Sequence, residues 1–165
     1  MGSIVVSDTG PLISLEKVDG GFRFLRLMAD KVLVPEAVLL EAGAKLSDPA
    51  GYLAAYGISD LAEVVRGVDV PLVASMPGAK PLHLGELEAI SLALERGLPL
   101  LIEDGDARKV AKAAGLKFLG IGGLVLAAAR RKAVGRDEAV RLLDALLAAN
   151  RLNKRLRDGL VAELP

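Results

Sequence analysis

The sequence predicts a single α/β domain whose mostly parallel sheet is covered by helices. Short apolar, β-branched segments such as residues 4–6 alternate with longer segments of helical periodicity, which is the pattern of βαβ units. The 165 residues are 52% hydrophobic and 25% charged, so the chain can bury a core. We expect this core over about residues 3–122 and a C-terminal helical extension over about residues 123–165.

Proline and glycine mark the limits of the elements in the first half of the chain. Gly10 and Pro11 end the first strand, and Pro35 suits the first turn of a helix that Gly43 can stop. The expected elements are strands over residues 4–6, 31–34 and 62–65, helices over 12–29 (interrupted or kinked near Gly20-Gly21), 36–42 and 52–56, and a loop over 71–81.

The second half of the chain is predicted to add two strands and five helices. Gly97 and Gly115 close two of these helices, and Asn153 is the expected N-cap of the last one. The expected elements are strands over residues 98–102 and 117–119, and helices over 84–96, 106–114, 123–132, 137–149 and 153–164.

Two acidic residues follow predicted strands. Asp8 comes after the first strand, and Asp104 follows the strand over residues 98–102, with Asp106 two positions later at the start of a helix. Ligands bind at the carboxyl ends of strands in open α/β sheets. For each acid, the alternative is that it caps the next helix.

Two further acids lie on predicted helix faces that are otherwise apolar. Glu41 follows Val38 by three positions, and Glu86 precedes Ile90 by four, so each shares a face with its neighbour. Buried carboxylates are costly unless they are paired or bind a metal, and no Lys or Arg in these motifs has the same inward placement. Oxygen ligands without a Cys or a His cluster favour Mg²⁺ or Mn²⁺; the single His, His83, is expected in a loop or a helix cap. The four acids together therefore predict a divalent-metal site.

Composition and charge limit the kind of metal site, the expected location of the protein and its possible partners. The absence of Cys excludes disulfides and thiolate metal sites. We expect a cytoplasmic protein, since no apolar run is long enough to cross a bilayer and no signal peptide opens the sequence. Residues 1–126 carry a net charge of −4 and residues 127–165 a net charge of +4. The basic section suits either a polyanion-binding surface or ordinary solvated helix faces.

Two other enzyme classes share part of the first motif. Asp8-Thr9-Gly10 is also the signature of aspartic proteases, but the chain holds one copy, and its strand-helix alternation does not suit that all-β fold. A haloacid-dehalogenase-like phosphatase would need a second acid where Gly10 stands. An aspartic protease would also leave Glu41, Glu86 and Asp104 unexplained.

Four segments, in this order and spacing, resemble the PIN domain. They are IVVSDTGPLI (residues 4–13), VPEAV (34–38) leading to Glu41, LGELEAI (84–90) with ALERG (93–97), and LLIEDGDAR (100–108). The resemblance is closest to the PIN-like DUF3368 subgroup, related to VapC-type toxin ribonucleases. It implies a PIN-like three-layer sandwich with additional C-terminal helices.

The resemblance also implies an activity and a set of site residues. It implies a Mg²⁺- or Mn²⁺-dependent ribonuclease that leaves a 5′-phosphate and a 3′-hydroxyl, and it suggests the toxin of a toxin–antitoxin pair with a small antitoxin as partner. Asp8, Glu41, Glu86 and Asp104 match the acidic quartet, with Asp8, Glu86, Asp104 and Asp106 as metal ligands. Glu86 stands where many PIN nucleases have Asp. The alternative is a catalytically weak or inactive PIN-fold module that binds RNA or a protein partner.

Two expectations concern RNA and self-association. Thr9 is a candidate contact to a carboxylate, to a metal-bound water or to RNA, and the candidate phosphate contacts are Arg108, Arg130, Arg131, Lys132 and Arg136. Apolar stripes at Val140, Leu143, Leu146 and Leu147, and at Leu156, Leu160 and Val161, predict a homodimer whose acidic sites open to a shared groove.

Overall fold

The central sheet of the computed structural model, which describes residues 3–165, has five parallel strands. They are β1 (Ile4–Ser7), β2 (Lys31–Pro35), β3 (Ala62–Val65), β4 (Leu100–Leu101) and β5 (Phe118–Leu119). Their order is β3-β2-β1-β4-β5, and Val6 of β1 pairs with Leu33 on one side and Leu100 on the other. The carboxyl end of the central strand β1 therefore lies at the point where the strand order reverses, which is the usual ligand position in such sheets.

Helices connect the strands and flank the sheet. They are α1 (Thr9–Glu16), α2 (Gly21–Met28), α3 (Glu36–Ala42), α4 (Tyr52–Ala55), α5 (Pro71–Ala74), α6 (Leu84–Arg96), α7 (Gly105–Ala113), α8 (Ile121–Arg130), α9 (Arg136–Ala148) and α10 (Lys154–Ala162), with a short 3₁₀ turn over Pro49–Gly51. The predicted α/β fold class and parallel sheet are confirmed. Asn153 is the N-cap of α10, since its side chain accepts a hydrogen bond of 2.8 Å from the Leu156 amide.

Of the two alternatives near Gly20-Gly21, the structure has the interruption, because the helical segment over residues 12–29 divides into α1 and α2 there. Gly20 adopts a left-handed conformation (φ 71°), and the Gly21 amide donates to the Val18 carbonyl at 2.9 Å. A Cβ atom on Gly21 would lie 2.0 Å from the Leu15 carbonyl oxygen. This close approach of backbone to backbone ends the first helix and requires glycine. The predicted loop over residues 71–81 contains the one-turn helix α5, which starts at Pro71.

The three C-terminal helices complete the same hydrophobic core as the sheet. Leu143, Leu146 and Leu160 are 0%, 2% and 9% exposed within one chain. The expectation that these stripes need a second copy to cover them is therefore wrong for these residues, whereas Leu156 remains 48% exposed. None of the helices in the described part of the chain is both long and apolar enough to cross a membrane.

Candidate active site

A groove of about 380 Å³ opens at the carboxyl end of β1. It is lined by Asp8, Thr9, Gly10, Glu41, Glu86, Glu103, Asp104, Asn150 and Arg151. The four acids singled out from the sequence thus line one groove, although they come from four separate segments of the chain. Their catalytic and metal-binding roles remain predictions.

Asp8 is the most buried acid of the groove. It is 4% exposed, its backbone amide donates to the Leu101 carbonyl at 3.0 Å, and its Oδ1 atom has no hydrogen-bond partner among the described residues. Asp8 occupies the N-cap position of α1, but its side chain makes no capping hydrogen bond. The helix-cap alternative therefore does not explain this side chain.

The surroundings of Asp8 favour its neutral form. The pKa of its carboxyl group is raised to about 7, chiefly by burial and also by the negative charges of Glu86, Glu41 and Asp104, while the Thr9 amide opposes the shift. None of the ion pairs in the described part of the chain involves these four acids. The groove therefore concentrates negative charge without a compensating ion pair on any of the four.

Glu41 reaches the groove from α3 and is held by two donors. The Thr9 hydroxyl donates to Oε2 at 2.8 Å, and the Gly85 amide donates to Oε1 at 3.1 Å. Glu41 itself is exposed, so its carboxylate is not buried as expected, but it lines the same groove as the other three acids.

Glu86 and Asp104 combine a place in the groove with a capping role. Glu86 accepts a hydrogen bond of 2.9 Å from the His83 amide at the start of α6, and Asp104 Oδ1 accepts from the Asp106 and Ala107 amides at 2.9 Å each. The pKa of Glu86 is raised, chiefly by burial. Capping and groove lining are thus not alternatives for these two side chains.

A partly buried network beside the quartet has no counterpart in the sequence predictions. Glu103 Oε2 accepts from the Ser14 hydroxyl at 2.8 Å and from Arg151 Nη2 at 3.0 Å, and Glu103 Oε1 accepts from the Ile121 amide at 3.3 Å. Arg151 lies outside the acidic motifs, so the pattern within those motifs did not indicate this basic partner. Glu103 is adjacent to Asp104 in sequence, but nothing local marks Arg151, which lies 48 positions later.

The predicted phosphate contacts other than Thr9 do not line the groove. Arg108 donates to the Ile102 carbonyl at 3.0 Å, Arg130 pairs with Glu163 at 2.8 Å, and Arg136 donates to the Leu164 carbonyl at 2.7 Å. Within one chain, these three guanidiniums have structural partners.

Arg131 and Lys132 are exposed just beyond the far end of α8. That helix starts beside Glu103 and is about 14 Å long at 1.5 Å per residue. The basic cluster at its end is therefore remote from the acids.

The chemistry of the four acidic side chains suits a hard divalent cation, because each offers carboxylate oxygens as ligands. The orphaned Asp8 Oδ1 atom also fits, since a cation would supply its missing partner. However, no three His, Cys, Asp or Glu side chains among residues 3–165 stand close enough to share one ion. Asp106 does not line the groove, and its carboxylate pairs with Lys109 at 3.0 Å. Binding of a cation would thus require carboxylates to leave their present hydrogen bonds.

The parallel sheet and the acidic groove at its switch point define a PIN-type α/β protein. A family model described as a PIN domain matches residues 4–164, so the chain belongs to the PIN domain family. No curated protein matches the chain. PIN domains are generally nucleases that use divalent metal ions and bind RNA.

The contact between Gly85 and Glu41 gives a first prediction. A Cβ atom at position 85 would lie 2.6 Å from Glu41 Oε2, so Gly85→Ala should displace the Glu41 carboxylate while leaving the fold intact. For the metal-dependent cleavage that the family resemblance implies, we expect a loss of about tenfold or more, within the range for groups that orient metal ligands. Gly159→Ala is the matched control, because a Cβ atom there meets nothing within 4 Å. Full activity of Gly85→Ala with an unchanged melting temperature would show that Glu41 is not part of the active site.

Proposed function

We propose that this chain is a Mg²⁺- or Mn²⁺-dependent ribonuclease of PIN type. The observation that carries the proposal is Asp8, a carboxylate that is 4% exposed and whose Oδ1 atom has neither a hydrogen bond nor an ion pair within the described residues. Burying an unpaired carboxylate is strongly unfavourable. Its retention at the switch point of the sheet, beside three other acids, is best explained by a cationic partner.

The side chains of the groove have distinct tasks in this proposal. Asp8, Glu86 and Asp104 would hold the cation, which when bound stabilises charge on a phosphate and lowers the pKa of a water molecule. Glu41, fixed by Thr9 and Gly85, would orient the attacking water or a second cation. Asp106, the predicted helper, could join only after leaving Lys109.

The direct test is cleavage of mixed RNAs by purified protein with Mg²⁺, with Mn²⁺ and with EDTA. We expect products with a 5′-phosphate and a 3′-hydroxyl in either metal and none in EDTA. Products that persist in EDTA would contradict the proposed metal dependence. An absence of products in both metals would contradict the proposed nuclease activity.

A second candidate function is a PIN-fold module that binds RNA or a protein partner without cleaving. The observation that favours it is that three of the four carboxylates are held by hydrogen bonds from Thr9 and backbone amides, so no coordination shell exists in this conformation. Retained RNA binding without cleavage in either metal would support this function.

The toxin role is a further part of the proposal. As a toxin, the protein would stop growth when expressed, and co-expression of a small antitoxin would restore growth. A homodimer remains an expectation from the family resemblance alone, because the stripes that suggested it are largely covered. Light scattering at micromolar concentration tests this expectation, and a monomer mass would remove it.

A further inference from the structure

Arg151 is the single Lys or Arg among the residues that line the groove, where it accompanies five carboxylates. A polyanion that enters such a groove needs positive charge from the protein as well as from a metal. We propose that Arg151 binds a phosphate oxygen of the RNA substrate. This inference rests on the proposed ribonuclease function and adds a substrate contact to it.

The guanidinium is fixed on two of its three nitrogens. Nε donates to the Ser14 hydroxyl at 2.8 Å, while Nη2 donates to the Gly10 carbonyl at 3.1 Å and to Glu103 Oε2 at 3.0 Å. Nη1 donates to no acceptor in the described part of the chain, so its two N–H groups are available. An arginine held in this way loses little conformational freedom when it binds an anion.

The anchors of Arg151 place it in the groove that Asp8 also lines. The Gly10 carbonyl belongs to the turn that carries Asp8, only two positions away. The Arg151 side chain is 26% exposed and lines the groove, so it is accessible to a ligand there. The link between α9 and α10 thereby contributes to the acidic site, which gives the C-terminal helices a role in substrate binding.

A purely structural role for Arg151 makes a different prediction. In that case Arg151 would act only through its ion pair with Glu103, which holds the segment between α9 and α10 against the core. Glu103→Gln would then weaken RNA binding as Arg151→Ala does. If Arg151 contacts phosphate, Glu103→Gln should instead tighten binding, because it removes a negative charge from the groove and leaves the guanidinium in place.

The experiment measures binding of a short, fluorescein-labelled single-stranded RNA in Mg²⁺, with every variant made in the Asp8→Asn protein. We expect Arg151→Ala to weaken binding about tenfold or more and to reduce the slope of log K against log salt by about 0.7. Arg151→Lys should give an intermediate loss of RNA affinity, since lysine keeps the positive charge but lacks the planar guanidinium with its fixed N–H donors. Arg23→Ala is the matched control, as Arg23 is exposed on α2 outside the groove.

Several outcomes would overturn the inference. Unchanged affinity and salt slope in Arg151→Ala would do so, and so would equal losses in Arg151→Ala and Glu103→Gln. If Arg151→Ala unfolds, Arg151→Lys decides, because weaker binding at an unchanged melting temperature supports the contact and unchanged binding overturns it. If the protein with Asp8 intact fails to cleave RNA while Arg151→Ala still weakens binding, the nuclease proposal falls and the phosphate contact stands.

Discussion

Asp8→Asn should remove metal-dependent RNA cleavage, lowering the rate by more than about a hundredfold. The change keeps the shape of the side chain and removes its negative charge, so the loss would come from the cation and not from the fold. Even residues that only support metal ligands typically alter affinity or activity 10- to 100-fold, and Asp8 would hold the cation itself. The measurement is single-turnover cleavage of RNA in Mg²⁺ and in Mn²⁺.

The matched control for this change is Asp69→Asn, which alters an exposed aspartate outside the groove. It should cleave RNA at the rate of the unaltered protein. Cleavage by Asp8→Asn within a few-fold of that rate, or equal losses in both variants, would contradict the assignment of Asp8. Comparison of the two variants also excludes a contaminating nuclease, because both proteins are purified in the same way.

Local signals made much of the fold predictable. The bounds of α6 are those predicted, Leu84 and Arg96. The sequence marks the C-terminal bound with Gly97, and in the structure this glycine adopts the left-handed conformation (φ 62°) that ends the helix. The placement of Asp8 and Asp104 followed from a rule about strand ends, and parallel strands bring their carboxyl ends to one edge whatever the details of packing. Such features depend on a few neighbouring residues, which a single sequence displays.

Features that depend on distant contacts were not predictable. An interruption or kink near Gly20-Gly21 was expected from the glycines, but the close approach of Gly21 to the Leu15 carbonyl, which decides for the interruption, was not. Arg151 reaches Glu103 and Gly10 only because α8 and α9 return the chain to the first turn. The apolar stripes on α9 and α10 could be identified from sequence, but not whether the same chain would cover them.

The free energy of unfolding of the metal-free protein should decrease as the pH rises from about 4 to about 7. The pKa of Asp8 is about 7 in the folded protein, against 3.8 for an unperturbed aspartate. Between these values the folded state binds a proton that the unfolded chain has released, so stability decreases with pH. The difference of about three pKa units corresponds to at most about 4 kcal/mol, and the raised pKa of Glu86 acts in the same direction.

Asp8→Asn should remove most of this dependence on pH. At pH 8 in EDTA the variant should melt above the unaltered protein, by about 2–4 °C for each kcal/mol gained, whereas near pH 4 the two should melt together. Mg²⁺ should stabilise the unaltered protein and have little effect on Asp8→Asn, since a ligand stabilises only the state that binds it. Differential scanning calorimetry from pH 4 to 8 measures both effects, with Asp69→Asn as the control. A lower melting temperature of Asp8→Asn at pH 8 without metal would show that the Asp8 carboxylate stabilises the fold, and would remove the unpaired charge on which the metal site depends.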